Sequence, residues 1–158
     1  MLLSLVGMTA VAQLPTLTSS SAKPVTSLSS GTDYLIAAGT STDSYYFNVD
    51  EAKVNAPLST AQVFTYTNNG LRRKSDEKYE YVYVSKSSYL WWTSYTLTTN
   101  SSPQAMTISW KKNSDVARIN ANDRYIVSNG DDADAAGLSS SSSSYNWYFY
   151  KAAVVNIT

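Results

Sequence analysis

Three similar stretches recur along this chain: QVFTY (residues 62–66), QAMTI (residues 104–108) and YNWYF (residues 145–149). Each places a bulky apolar residue in the middle of a short run that favours a β-strand. Counted between these central residues, the intervals are 42 residues (64 to 106) and 41 residues (106 to 147). A period of this size predicts a fold built from copies of one supersecondary unit.

A second set of markers keeps the same register: DYLI (residues 33–36), EYVY (residues 80–83) and RYIV (residues 124–127). Their tyrosines are separated by 47 residues (34 to 81) and 44 residues (81 to 125). Because both sets of stretches recur at similar intervals, they divide the chain into three units at about residues 24–70, 71–115 and 116–153.

Each unit is expected to hold four short strands. The first is marked by Val25, Leu71 and Val116, and the second carries the repeated tyrosine. The third is expected at residues 45–49 and 90–94 and, more weakly, at 136–138. The fourth is the QVFTY-like stretch. Tyr, Val, Ile, Thr, Phe and Trp dominate these runs, Gly, Asn, Asp, Ser and Pro fill the gaps, and no helical period is sustained beyond the first dozen residues.

Three copies of four strands resemble the β-trefoil family, and more loosely its ricin B-like lectin branch, whose repeats carry a Gln-x-Trp signature. Here Gln62 and Gln104 occupy the glutamine position and Tyr145 replaces it in the third copy. The aromatic position holds Phe64, Met106 and Trp147. The resemblance implies an all-β fold, a β-trefoil of three pseudo-repeats of about 38–47 residues spanning residues 24–153.

The resemblance does not carry over the family's usual sugar pocket. In that branch an acidic residue follows the first core position of a binding repeat, and this chain has Ile36, Tyr83 and Val127 there. If carbohydrate is bound, other residues must bind it, and Asn48, Asp50, Asn100 and Gln104 are the polar candidates.

Charge and size limit the partners. One domain fits 158 residues, and twelve basic residues balance twelve acidic ones. A net charge of zero argues against nucleic acid or an anionic membrane, because both require clustered Lys and Arg. The compact basic group at residues 72–74 is followed directly by Asp76 and Glu77, which favours a solvated strand and turn.

The N-terminal residues are interpreted as a partial signal peptide. Residues 1–12 form an apolar run that ends in Ala10-Val11-Ala12, a small-x-small pattern, with Gln13 as the first mature residue. A core helix is the alternative, and the run is short for a membrane span. Residues 13–23 are expected to be a flexible leader and residues 154–158 a tail or the start of a linker. Export would place the protein outside the cell or in the cell envelope, with no membrane insertion after processing.

Catalysis is not expected from these residues. The chain has no cysteine and no histidine, so it lacks thiolate sites and the usual general base. Its carboxylates fall in loops, and no enzyme activity and no cofactor are expected. The acidic group at residues 131–134 follows Asn129-Gly130, a turn dipeptide, so a polar turn and a weak calcium site both remain open.

Aromatic residues are the better functional clue among 13 tyrosines and 4 tryptophans. The tyrosines that repeat in register, Tyr34, Tyr81 and Tyr125, are expected in the core. Neighbours in a strand point to opposite faces, so one of each adjacent aromatic pair should be exposed. The residues expected to bind ligand are Tyr45, Tyr46, Trp91, Trp92 and Tyr95, with Tyr89 as a further exposed candidate.

Two functions follow as expectations. The first is a noncatalytic, lectin-like carbohydrate-binding module of an exported protein, free or fused to a downstream catalytic domain, that binds glycans weakly through surface rings. The second is a protein-interaction or structural module of the cell surface. A coplanar pair of exposed rings would favour the first, and a broad apolar patch the second.

Overall fold

The computed structural model describes residues 12–17, 23–40, 45–68, 70–74, 80–136 and 143–157, and confirms an all-β protein. Its helical content in these ranges is two single turns of 3₁₀ helix, at Leu58–Thr60 and Ser143–Tyr145. No helix in the described part of the chain has the length and apolarity to cross a bilayer. The strands are β1 Ala12–Leu17, β2 Asp33–Ala37, β3 Tyr46–Asn48, β4 Lys53–Ala56, β5 Phe64–Thr67, β6 Gly70–Arg73, β7 Glu80–Ser88, β8 Thr93–Asn100, β9 Met106–Trp110, β10 Ala117–Ala121, β11 Arg124–Asn129, β12 Asp132–Ala136 and β13 Tyr148–Ile157.

These strands form one antiparallel sheet. Its order is β8-β7-β6-β5-β2-β3-β4-β12-β11-β10-β9, and β13 pairs with both β1 and β2. Most neighbours in the sheet are also neighbours in sequence, because short turns join antiparallel strands directly. Between β10 and β11 the turn is Asn122-Asp123, and both residues have positive φ (51° and 59°), as hairpin turns of the I′ type require.

The repeated apolar residues lie in the main core. Phe64 and Trp147 are fully buried, and both pack against Phe47, with ring centroids 5.3 and 5.5 Å apart respectively. The Trp147 indole N–H donates to the carbonyl of Ile126 at 2.7 Å, which satisfies its one polar atom. Met106 is only partly buried and packs against the same core.

The three repeated tyrosines are not equivalent. Tyr34 is buried in the main core, and its hydroxyl accepts a hydrogen bond from the Ser29 backbone N–H at 2.8 Å. Tyr81 and Tyr125 are half-buried. Repetition in the sequence therefore marks equivalent strands more faithfully than equivalent burial.

Strand β2 is buried on both faces. Tyr34 and Ile36 point into the main core, while Leu35 and Ala37 belong to a second apolar cluster with Tyr46 and Tyr150. This second cluster also receives the partly buried Leu17 from β1. This cluster covers the face of the sheet opposite the main core. Tyr46, a residue expected to bind ligand, is therefore only 2% exposed, and its side chain does not reach solvent.

The two ends of the described chain meet. Residues Ala12–Leu17 pair antiparallel with Ala152–Ile157, in register from Ala12 opposite Ile157 to Leu17 opposite Ala152. The structure thus differs from the expected flexible leader at residues 13–17 and from the expected tail at residues 154–157, because each segment supplies the hydrogen-bonding edge that the other needs. Residues 1–11 and 158 lie outside the described residues, and cleavage after Ala12 stays a prediction.

Candidate functional site

The β7–β8 hairpin is longer than the core beneath it. Its register runs from Tyr81 opposite Asn100 to Ser88 opposite Thr93. Val82, Val84 and Leu97 are buried at its base, whereas all residues from Lys86 to Thr93 are exposed. The end of the hairpin therefore projects from the protein as a two-stranded ribbon.

The tip of this ribbon is apolar. Four consecutive bulky residues connect the strands: Tyr89 (58% exposed), Leu90 (93%), Trp91 (80%) and Trp92 (54%). The Tyr89 backbone N–H donates to the carbonyl of Trp92 at 2.7 Å, which closes the turn. We call these four residues the aromatic tip. Exposed apolar runs of this length are unfavourable in water unless they serve binding.

The rings of the aromatic tip contact one another without being coplanar. The Tyr89 and Trp92 centroids lie 4.9 Å apart with their planes inclined at 43°, and those of Trp91 and Trp92 lie 6.2 Å apart at 66°. Trp92 is the central ring of the three. This arrangement is a convex edge with ring faces turned in different directions.

The expectation that only one of Trp91 and Trp92 would be exposed is wrong. It assumed a strand over residues 90–94, but β8 begins at Thr93 and the two tryptophans lie in the turn. Alternation between faces holds only inside a strand. The sequence does carry a signal for this tip, because small polar residues enclose the apolar run. They are Ser87 and Ser88 before it and Thr93 and Ser94 after it.

Tyr95 lies on the stem, on the face of the hairpin that continues from the core. It is half-buried, and the guanidinium carbon of Arg124 lies 3.8 Å from its ring centroid. The Lys86 ammonium is 6.0 Å from the same centroid. Arg124 therefore covers a face of the Tyr95 ring on which a sugar would otherwise stack. Any contribution of Tyr95 to ligand binding would come through the two cations that lie over its ring.

Tyr45 and Tyr46 divide as alternation predicts. Tyr45 is 59% exposed, but it precedes β3, and in the described part of the chain no ring contact joins it to the aromatic tip. Tyr46 is buried, and burial raises the pKa of its hydroxyl. Of the five residues expected to bind ligand, the structure brings together Trp91 and Trp92 and places Tyr95 on the same hairpin.

The other face of the stem is lined with hydroxyl groups. Cross-strand partners share a face, so Tyr83 and Thr98, Ser85 and Thr96, and Ser87 and Ser94 form a ladder of three pairs. Ser87 and Thr96 are exposed and the other four are half-exposed. Hydroxyls donate and accept hydrogen bonds, so this surface suits a polyhydroxylated ligand.

The polar candidates from the sequence serve the fold instead. Gln104 Oε1 accepts from the Val84 backbone N–H at 2.7 Å, and its Nε2 donates to the Val84 carbonyl at 3.1 Å. Asp50 accepts hydrogen bonds from Gln62, at 2.9 Å, and from Arg73. Asn48 and Asn100 accept from the backbone N–H groups of Glu51 and Ser102.

The acidic residues at 131–134 do not form a metal site in the structure. Asp132 is in β12 and forms an ion pair with Lys53, and this hydrogen bond raises the pKa of the lysine. Asp134 accepts from the Ala135 backbone N–H at 2.7 Å. Within the described ranges, no group of three or more acidic residues is placed to hold a metal ion.

Comparison with known proteins adds no relative. No family model, no curated protein and no solved structure matches the chain.

Proposed function

We propose that the chain is a noncatalytic, lectin-like carbohydrate-binding module of an exported protein, and that the aromatic tip is its binding element. The proposal rests on the exposure of three aromatic side chains, in contact with one another through Trp92, at the end of a hairpin that projects beyond the core. Sugars present apolar C–H faces that stack on such rings, while their hydroxyls bond to polar neighbours.

The surroundings of the tip support this proposal. The hydroxyl ladder begins at Ser87 and Ser94, directly below Tyr89 and Trp92. A sugar stacked on Trp92 would therefore have donors and acceptors within one or two residues along each strand. Stacking on one ring contributes about 1 kcal/mol beyond area burial, so we expect millimolar to micromolar affinity for a single module.

We also propose that the sheet is the β-trefoil that the sequence resembles. Three similar pairings support it: β5 with β6, β9 with β10, and the Val25 backbone N–H with the Phe149 carbonyl at 2.7 Å. In the first two, the strand with the repeated central residue pairs with the start of the next unit. In the third, the strand that follows the repeated Trp147 accepts a hydrogen bond from the start of the first unit. A bridge between Ala117 and Trp147 further links β10 to the segment before β13.

A protein-interaction module of the cell surface is the second candidate, and two observations favour it. Leu90 is the most exposed residue of the tip and has no ring to stack on a sugar. The tip rings are tilted and form a convex apolar knob, which would fit a groove on a partner protein. Leu90 therefore discriminates between the two functions.

A glycan array with the wild-type chain and three variants tests the proposal. Trp92→Ala should reduce glycan binding at least tenfold and Trp91→Ala to a smaller extent, whereas Leu90→Ser should leave it within twofold. Tyr45→Ala is the matched control, because it removes an exposed ring outside the tip. Absence of glycan binding, or binding unchanged in a folded Trp92→Ala protein, would reject the carbohydrate function, and loss of cell-surface adhesion in Leu90→Ser would support the second candidate.

A further inference from the structure

Two positive charges flank the aromatic tip without a carboxylate to neutralise them. Among the described residues, no Asp or Glu lies within 4.0 Å of the charged nitrogens of Lys86 or Arg124, whereas Lys53, Arg73 and Lys74 each form an ion pair. Both unpaired cations face Tyr95, at 6.0 and 3.8 Å from its centroid. In a chain of zero net charge, this placement is a local excess of positive charge on the binding hairpin.

The geometry holds these charges in position. Arg124 stacks on the Tyr95 ring, and its Nη1 donates to the Asp123 carbonyl at 3.0 Å, so the guanidinium is fixed while other N–H donors remain. Lys86 is opposite Tyr95 in the strand register and is exposed. Asp123 contributes one negative charge nearby, which leaves the group of three with a net charge of +1.

The two charges lie close enough to the aromatic tip for one oligosaccharide to contact both. Tyr95 in β8 is three residues after Trp92, and its cross-strand partner Lys86 in β7 is three residues before Tyr89. At about 3.4 Å per residue, each is about 10 Å along its strand from the tip. An oligosaccharide bound at the aromatic tip and extending along the Tyr95 face of the stem, opposite the hydroxyl ladder, would bring its next units near Lys86 and Arg124. A neutral sugar could only accept ordinary hydrogen bonds from these N–H donors, whereas a carboxylate or sulfate group would form stronger, charge-assisted ones.

We propose that the glycan bound by this hairpin is acidic, carrying carboxylate or sulfate groups that pair with Lys86 and Arg124. This inference rests on the proposed function, since it assigns a ligand class to the same site. The aromatic tip supplies stacking, and the two cations select charge. Selection is expected to weaken with salt, because the cations are at or near the surface.

The experiment uses an array of carboxylated, sulfated and neutral glycans, followed by titration of tetragalacturonate and its neutral methyl ester. We expect acidic glycans to bind best and Lys86→Gln to lower their affinity about twofold to fivefold, the range of an exposed charge pair, without changing neutral binding. Arg124→Gln should do the same and Arg124→Lys should not. Lys112→Gln, an exposed lysine in the turn after β9, is the control with the same charge change.

The outcomes separate this inference from the proposed function. If neutral and acidic glycans bind equally and Trp92→Ala removes both, the hairpin is a glycan site and the acidic preference is overturned. If Lys112→Gln weakens acidic binding as much as Lys86→Gln does, or if inorganic sulfate at millimolar concentration competes fully, the preference is a general charge effect and the inference fails. If no glycan binds, both proposals fall.

Discussion

A Cβ atom placed on Gly70 would lie 2.7 Å from the carbonyl oxygen of Gln104, closer than real Cβ atoms approach. Gly70 begins β6 with φ +138°, and Gln104 lies in the segment that leads into β9. The absence of a side chain at Gly70, the last residue of the first unit, thus lets the chain pass against the backbone of the second unit 34 residues later (70 to 104). Backbone, unlike a flexible side chain, cannot easily move away.

Gly70→Ala should therefore destabilise the protein strongly. The strained φ costs about 1–3 kcal/mol, and the steric conflict with Gln104 adds to it. Gly130→Ala is the control, because its φ is also positive (+63°) but nothing lies within 4 Å of the added methyl group. We expect the control to lose only about 1 kcal/mol in urea denaturation. Equal losses for both variants would contradict the steric argument.

Replacing Trp147 should show that its packing and its buried hydrogen bond contribute to the stability of the fold. Trp147→Phe keeps an aromatic ring but leaves a space and deprives the Ile126 carbonyl of its indole donor. The expected loss in free energy of unfolding is about 2–4 kcal/mol. Trp91→Phe, at an 80% exposed position, should change stability by less than about 0.5 kcal/mol. Thermal unfolding measured on both variants checks the contrast.

The side-chain oxygen of Gln104 should contribute more to the stability of the fold than its side-chain nitrogen. Gln104→Ala leaves the Val84 backbone N–H without its acceptor, whereas the Val84 carbonyl keeps the Asn122 side-chain amide as a donor at 3.0 Å. We expect a loss of about 1–2 kcal/mol. Gln104→Glu preserves the acceptor, so it should retain more of the stability than alanine does. Chemical denaturation of the two variants at neutral pH gives the comparison.

Alkaline pH should destabilise the fold through Tyr150. Burial, together with the nearby Tyr46 and Asp115, raises the pKa of its hydroxyl to about 12. An unfolded tyrosine ionises near pH 10. Unfolding therefore releases a proton between about pH 10 and 12, and the stability contributed by the neutral hydroxyl is complete below pH 10 and lost as pH rises to about 12.

Tyr150→Phe removes this titration, so its stability should fall less steeply than that of the wild type over this interval. Denaturation at pH 9, 10, 11 and 12 measures the difference. Tyr89→Phe, at an exposed tyrosine, should follow the wild-type curve. Parallel curves for Tyr150→Phe and the wild type would contradict the assignment.

The strand pattern could be predicted from the sequence because local composition and repetition carry it. Phe64 and Trp147, singled out as repeated central residues, are fully buried, and Tyr34 is buried as expected. Strands also begin close to the markers, as at Asp33, Glu80 and Arg124. These features depend on neighbours in the chain, which a sequence displays directly.

The candidate site depends on contacts between residues distant in sequence, so it is only partly predictable from the sequence. Whether Trp91 is exposed depends on where β8 begins, and whether Tyr46 is buried depends on a second cluster that includes Tyr150, 104 residues later (46 to 150). Arg124 reaches Tyr95 from another unit. Lys86 and Arg124 cannot be identified from the sequence for this reason. Leu90 could have been identified, because the run of four apolar residues between serines and threonines is a visible signal.

Because the β7–β8 hairpin projects beyond the core, its base and its tip are under different physical constraints. Residues 82, 84 and 97 are fixed by packing, while the four residues of the tip are each more than half exposed. If the tip is the binding element, as proposed, mutations there would change ligand preference without a matching loss of folding stability. Ligand specificity and folding would then be encoded by separate stretches of the sequence.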